Sequence, residues 1–165
     1  MYFVHSPKLA LVGSWSWAAP AADRAAALGA EVVAVELDEQ AEVAVADLDG
    51  FDVAAVFGAD RAQPCAAVLG RAADLLAPAL CRGALVVICE SPTLDDDGRR
   101  FVDSLAERSG LEAGVEFDVV AAAGDEVVWS TSDEAAETVL YLMATLRAAA
   151  PGSAAARVPA PARRG

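Results

Sequence analysis

Residues 8–38 constrain the fold of this chain more than any other segment. An apolar run at residues 9–12 ends on Gly13, and an Ala-rich segment of helical composition follows. A second apolar run at residues 32–35 then ends on Glu36. Two short strands joined through a helix predict a parallel pair, because parallel strands need a crossover connection that a helix usually supplies. We therefore expect a βαβ unit at the start of the domain.

Strand-like and helical segments alternate along the rest of the chain. The strand-like runs cover residues 51–57, 84–89, 115–121 and 126–130, and residues 42–46 are a candidate edge strand. The helical segments cover residues 61–80, confined between Pro64 and Pro78, residues 95–109, and a last stretch from Thr131 or Ser132 to about 149. In the first unit we expect a turn at residues 14–17 and a helix with Pro20 in its first turn, ending near residue 28. This alternation predicts an α/β fold, a Rossmann-like three-layer αβα sandwich with a mostly parallel sheet.

The length and composition of the chain fit one domain. We place that domain at residues 1–150 of the 165, and we expect the Pro/Ala/Arg-rich residues 151–165 to be a disordered tail. No apolar run reaches the length of a membrane span, and the start MYFVHSPK lacks the pattern of a secretion signal. Cys65, Cys81 and Cys89 have no CxxC spacing and fit reduced thiols, so a cytoplasmic location is expected.

The net charge of −13 limits the classes of binding partner that are expected. Nucleic acid and anionic membrane are not expected, since an acidic surface repels both. A small molecule or a protein partner is expected instead, and the small-residue last helix is compatible with a homodimer. No metal site is expected, because the consecutive carboxylates at residues 95–97 point in different directions from a helix start.

The turn after the first strand aligns with the Gly-x-Gly-x-x-Gly turn of dinucleotide-binding units. It reads Gly13-Ser14-Trp15-Ser16-Trp17-Ala18, so tryptophan occupies the second glycine position and Ala18 the third. The second position is normally glycine because the backbone must come close to the pyrophosphate. Glu36 ends the second strand, where a carboxylate can bind the ribose hydroxyls of NAD. NAD is therefore a candidate cofactor that Trp15 disfavours.

Four segments carry a resemblance to a known family. Residues 30–39 (AEVVAVELDE), 46–59 (ADLDGFDVAAVFGA), 76–93 (LAPALCRGALVVICESPT) and 107–120 (ERSGLEAGVEFDVV) resemble the N-terminal domain of UDP-glucose/GDP-mannose dehydrogenases, the nucleotide-sugar dehydrogenases. The resemblance extends loosely over residues 9–146. It implies an NAD-binding Rossmann domain, in which Ser91 belongs to the family's Glu-Ser-Thr motif and joins Gly13, Trp15, Ala18 and Glu36 as a cofactor-binding position.

Departures from the family pattern bear on the chemistry. Residues 58–60, ending in Asp60, replace the family's Thr-Pro loop, and the segment that carries its catalytic glutamate is missing before Gly124. The only lysine, Lys8, precedes the first strand, and no cysteine matches the motif of the family's nucleophile. The family's oxidation requires such a thiol and a base. We therefore expect that this chain does not carry out that reaction on its own.

Three functional hypotheses remain open. The chain is a degenerate pseudoenzyme relative that serves as a binding or partner module, or it is a non-redox enzyme of specialised, natural-product biosynthesis. In the second case Glu90, Asp60 and Asp125 are the candidate acid/base carboxylates beside Trp15 and Trp17. The two indoles either form an aromatic platform for a substrate or fill the abandoned phosphate site. The third hypothesis is a minimal NAD-dependent oxidoreductase.

Overall fold

One sheet contains every strand that the structure describes. The computed structural model describes residues 6–13, 15–37, 48, 50–58 and 63–157, and for residues 15–19, 21 and 146–157 only the backbone. The strands are β1 (Lys8–Gly13), β2 (Glu31–Glu36), β3 (Val53–Val56), β4 (Leu85–Cys89), β5 (Asp118–Ala123) and β6 (Glu126–Ser130). The helices are α1 (Trp15–Ala27), α2 (Ala66–Leu76) with a 3₁₀ turn at Ala77–Ala79, α3 (Asp96–Ser109) and α4 (Asp133–Arg157).

The sheet has the order β2-β1-β3-β4-β5-β6, in which only β6 is antiparallel to its neighbour. The chain first moves from β1 outward to β2 and later from β3 in the opposite direction. Because crossovers between parallel strands are right-handed, this reversal places α1 on one face of the sheet and α2 and α3 on the other. The predicted Rossmann-like α/β fold is confirmed.

The larger core lies between the sheet and the α2–α3 face. Residues on this side of the strands alternate with those on the other side, as the pleat of a strand requires. The two helices contribute Leu69, Leu76, Phe101 and Leu105 to the core. The strand residues that they cover are Ala10, Val12, Ala54, Val56, Val86, Ile88 and Val119, all within 1% of full burial.

Two helices that the structure describes, α1 and α4, cover the opposite face of the sheet. Ala22 of α1 packs against Leu11 and Phe57, and Ala135 and Val139 of α4 pack against Val53, Leu85, Val120 and Ala122. These are two separate apolar clusters, one under each helix. The middle of this face therefore has less helical cover than its sides.

The capping signals of α3 and α4 act as the sequence predicts. The Asp95 side chain accepts a hydrogen bond from the Gly98 N–H at 2.9 Å, and Gly110 ends α3 in the left-handed conformation with φ 73°. Of the two candidate caps of α4, Ser132 is the one that accepts from the Ala135 N–H, at 3.1 Å. Thr131 instead donates to Asp118 at 2.7 Å and so joins β6 to β5.

The predicted start of α1 is wrong. The helix begins at Trp15, within the expected turn at residues 14–17, and Pro20 lies inside it instead of in its first turn. A proline lacks an N–H, so its cost inside a helix is one missing hydrogen bond to the carbonyl group four residues earlier. The helix continues through Pro20 to Ala27 in spite of that loss.

Two further boundaries differ from the prediction. Strand β5 begins at Asp118 instead of residue 115, because residues 112–117 form a turn closed by bonds such as that from the Glu116 N–H to the Glu112 carbonyl, 2.8 Å long. Helix α4 continues to Arg157, beyond its predicted end near residue 149. The candidate edge strand at 42–46 and residues 158–165 lie outside the described residues, so the domain boundary and the tail stay predictions.

No described helix is both long enough and apolar enough to cross a lipid bilayer.

Candidate functional site

Gly13 ends β1 at the carboxyl edge of the sheet, where open α/β folds bind their ligands. Its φ of 139° lies in the region that favours glycine. A Cβ atom at this position would lie 2.1 Å from the Phe57 carbonyl oxygen, at the end of the neighbouring β3. The packing of two strand ends therefore requires glycine here whether or not a cofactor binds.

Helix α1 presents its N-terminus directly after Gly13. Trp15 is the first residue of this helix and Ala18 lies in its first turn, while their side chains lie outside the description. In dinucleotide-binding units this helix end binds the pyrophosphate through its free N–H groups. The structure therefore places the backbone of Trp15 where a bound pyrophosphate would make its closest approach.

Glu36 is exposed at the end of β2, in register with Gly13. It borders a shallow depression between α1 and β2 that Asp23 also lines. A ribose hydroxyl could reach the Glu36 carboxylate from solvent. Two carboxylates at one depression also make it an electrostatically poor place for an anionic nucleotide.

Ser91 is buried, with 2% of its surface exposed, just beyond β4. Its N–H donates to the Ala122 carbonyl at 2.9 Å, and its hydroxyl donates to the Thr93 carbonyl at 2.8 Å. The residue before it, Glu90, has a positive φ of 55°, which is unusual outside glycine. These contacts make Ser91 a part of the turn that fixes the direction of Glu90.

Glu90 and Asp125 line one cavity, as their positions at neighbouring strand ends predict. The cavity has a volume of about 430 Å³ and lies between α1, α4 and the sheet. Cys89, Ala122 and Gly124 line the same end of it. Asp60, the third predicted acid/base residue, lies outside the described residues, and Glu36 is not among the residues that line this cavity.

The rest of the cavity is mainly apolar. Its floor is one face of the central strands, and its walls come from α1 and α4. The floor residues are Leu9, Leu11, Val53, Ala55, Phe57, Val87, Cys89 and Ala122. The wall residues include Ala25, Leu28, Val139, Leu142 and Met143, with Arg24 and Lys8 toward the amino ends of the strands. Sequence reasoning missed this cavity, although alanine or cysteine at three floor positions is a signal that could have indicated a shallow floor.

The Cys89 thiol on the cavity floor is a neutral group. Burial, with a smaller contribution from the neighbouring Glu90 carboxylate, raises its pKa to about 12. A thiol is a nucleophile only as the thiolate. Cys89 therefore supplies no nucleophile to this cavity at neutral pH.

Among the described residues, no three side chains of His, Cys, Asp or Glu come together in a way that would hold a metal ion.

The chain has the fold of the N-terminal part of known nucleotide-sugar dehydrogenases. It is similar to UDP-D-ManNAc dehydrogenase from Pyrococcus horikoshii, with a TM-score of 0.62 and 20% identity over 84% of this chain and 44% of that one. It is also similar to the UDP-N-acetyl-mannosamine dehydrogenase of Staphylococcus aureus, with a TM-score of 0.59 and 17% identity over 84% of this chain and 45% of that one. The chain thus spans less than half the length of these enzymes. No protein-family model matches it, and no curated protein matches its sequence.

Proposed function

We propose that this Rossmann-like domain is a binding module, related to the NAD-binding domain of nucleotide-sugar dehydrogenases but without their oxidation chemistry. One observation carries the proposal: α1 begins with Trp15. The helix N-terminus that would bind a pyrophosphate starts with the largest side chain instead of glycine. This position is normally glycine because the backbone must come close to the pyrophosphate, so we expect a tryptophan here to disfavour that approach.

The surviving cofactor positions support the same proposal, since two of them have structural duties of their own. Glycine at position 13 is required by the nearby Phe57 carbonyl oxygen, and the Ser91 N–H and hydroxyl donate to the carbonyl groups of Ala122 in β5 and Thr93 in the turn. Their presence is therefore no argument for a bound nucleotide. Glu36 is exposed and could still contact a ribose, but it shares its depression with Asp23.

The second candidate function is a non-redox enzyme of specialised biosynthesis. It is favoured by Glu90 and Asp125, which line the carboxyl end of one mainly apolar cavity. A carboxyl group beside an apolar ligand is a typical general acid or base. Binding comes first in either case, so the ligand of the domain decides between the two functions.

Titration calorimetry with NAD, NADP and UDP-N-acetyl-mannosamine tests the proposal. The wild-type domain is expected to show no saturable heat with any of them up to millimolar concentrations. Trp15→Gly is expected to gain weak NAD binding, because it restores the glycine of the turn, whereas the matched control Trp15→Phe keeps an aromatic ring and gains none. Saturable NAD binding by the wild type that Glu36→Ala abolishes would overturn the proposal and favour the minimal oxidoreductase.

A further inference from the structure

The cavity between α1 and α4 follows from the connections of the chain. The crossovers that contain α2 and α3 lie on the far face of the sheet, and β5 turns directly into β6 through Gly124 and Asp125. On the near face, the described part of the chain therefore supplies only α1 at one side and α4 at the other. The strands between them, β3 and β4, form an open floor.

The size and lining of this cavity suit a small elongated molecule. Its volume of about 430 Å³ lies within the range of roughly 300–1,000 Å³ that small-molecule sites occupy. Along β3 the floor extends from Val53 to Phe57, which at about 3.3 Å per residue is about 13 Å. Small floor residues, Ala55 and Ala122, leave the space that larger side chains would fill.

The two ends of the cavity carry charges of opposite sign, basic at the amino end and acidic at the carboxyl end. At the amino end, the N–H of Lys8 donates to the Asp52 carboxylate at 2.7 Å, so an acidic group already lies beside Lys8. Arg24 is in the last turn of α1, where the carbonyl groups at the helix end favour a cation. At the carboxyl end, Glu90 and Asp125 line the cavity, and no described residue that lines this end is basic. The net charge of −13 adds to the attraction for a cation.

We propose that this cavity binds an elongated apolar molecule that carries a basic amine at one end, with the amine beside Glu90 and the apolar part along the floor. The proposal rests on the binding-module function above and names its ligand class. A protonated amine would donate a charge-assisted hydrogen bond to Glu90. The apolar part of the ligand, lying between Leu9 and Phe57, would bury its carbon atoms against the strands and the two helices.

Three probes of equal chain length separate the contributions of the amine and the apolar chain. n-Decylamine, n-decanol and n-decanoate are titrated into the full chain by calorimetry below their micelle concentrations. Decylamine is expected to bind at one site, about fivefold more tightly than decanol. Decanoate is expected to bind more weakly than decanol. Its carboxylate would be repelled by Glu90, and moving away from Glu90 would cost the molecule its contacts with the apolar floor.

Substitutions with matched controls locate the site. Glu90→Gln is expected to weaken decylamine binding about fivefold and to leave decanol binding unchanged. Glu126→Gln is the control. Glu126 is a neighbouring exposed carboxylate that does not line the cavity, and its substitution changes the net charge by the same amount. Ala55→Leu is expected to abolish the binding of both probes by filling the floor. If that variant fails to fold, Leu28→Gln, at a position that is 50% exposed, is expected to weaken both probes.

Three results would overturn the proposal: no saturable binding of decylamine, decanoate binding as tight as that of decylamine, or equal losses in Glu90→Gln and Glu126→Gln. The second result would indicate an anion held by Arg24 or Lys8, and the third a general attraction to the acidic surface. These outcomes are independent of the NAD titration. NAD binding would refute the binding-module function, whereas failure of the amine would refute only the ligand class.

Discussion

At the residue scale, Gly13 and Ser91 have structural roles that become visible only in the folded domain. Gly13 was predicted from the sequence, but the reason for it, the Phe57 carbonyl oxygen 2.1 Å from a would-be Cβ, depends on the neighbouring strand. No spacing within residues 8–38 contains that contact. The same holds for Ser91, whose hydroxyl partner is visible only in the folded turn. Sequence reasoning thus found these positions, and the structure gives each a structural role that the sequence did not show, while their role in cofactor binding stays a prediction.

Gly13→Ala is expected to destabilise the domain by about 3 kcal/mol, because the new methyl group meets a backbone oxygen and the φ is unfavourable. Gly29→Ala is the matched control. Its φ of 90° is also positive, but nothing lies within 4 Å of its Cβ, so a loss of about 1 kcal/mol is expected. Urea denaturation measures both. Equal losses would show that the contact with Phe57 is unimportant.

The Cys89 thiol makes the folding stability of the domain decrease in alkaline solution. Its pKa is raised from 9.0 to about 12 by burial and then by Glu90, so the unfolded chain loses this proton before the folded chain does. Folding stability is therefore unaffected by this group below pH 9 and falls as the pH rises from 9 toward 12. Cys89→Ala is expected to make the free energy of unfolding fall less steeply over that range. Parallel curves for the two proteins would contradict the raised pKa of the Cys89 thiol.

At the element scale, the sequence predicted helices best where side-chain caps begin and end them. The Asp95 cap and Gly110 give α3 its bounds, and the helix at Asp96–Ser109 matches the predicted segment 95–109 within one residue. The start of α1 was missed because proline is commonest at the first helical position, whereas here the helix begins two residues after the end of the strand at Gly13. Tertiary context, the immediate turn from β1 onto the sheet face, outweighed that local preference.

Pro20→Ala is expected to stabilise the domain by about 2 kcal/mol. The alanine restores an N–H to the interior of α1, and the exposed position causes no change in packing. Pro78→Ala is the control, because this proline is at the start of a 3₁₀ turn, where no such bond is missing. Thermal unfolding compares them. An unchanged or lower midpoint for Pro20→Ala would mean that the helix begins at Pro20 after all.

At the scale of the whole molecule, the alternation of segments was enough to predict a mostly parallel sheet, and Gly124-Asp125 was enough to predict the turn before β6. The cavity could not be predicted in the same way. It depends on how α1 packs on β1 and β2, how α4 packs on β5 and β6, and how the two helices contact each other. Strand order is enough to predict that Glu90 and Asp125 lie near each other. It is not enough to predict the apolar floor between the helices.

The central proposal is that this Rossmann-like domain does not bind a dinucleotide, because tryptophan occupies the second glycine position of the turn. Backbone amide NMR spectra of the ¹⁵N-labelled domain, recorded with and without millimolar NAD, test it most directly. The account predicts no shift at the amides of Gly13, Trp15 and Glu36 in the wild type, and shifts at these positions in Trp15→Gly. Saturable shifts of the same amides in the wild-type domain would show that the nucleotide still binds at the end of β1, and would contradict the account.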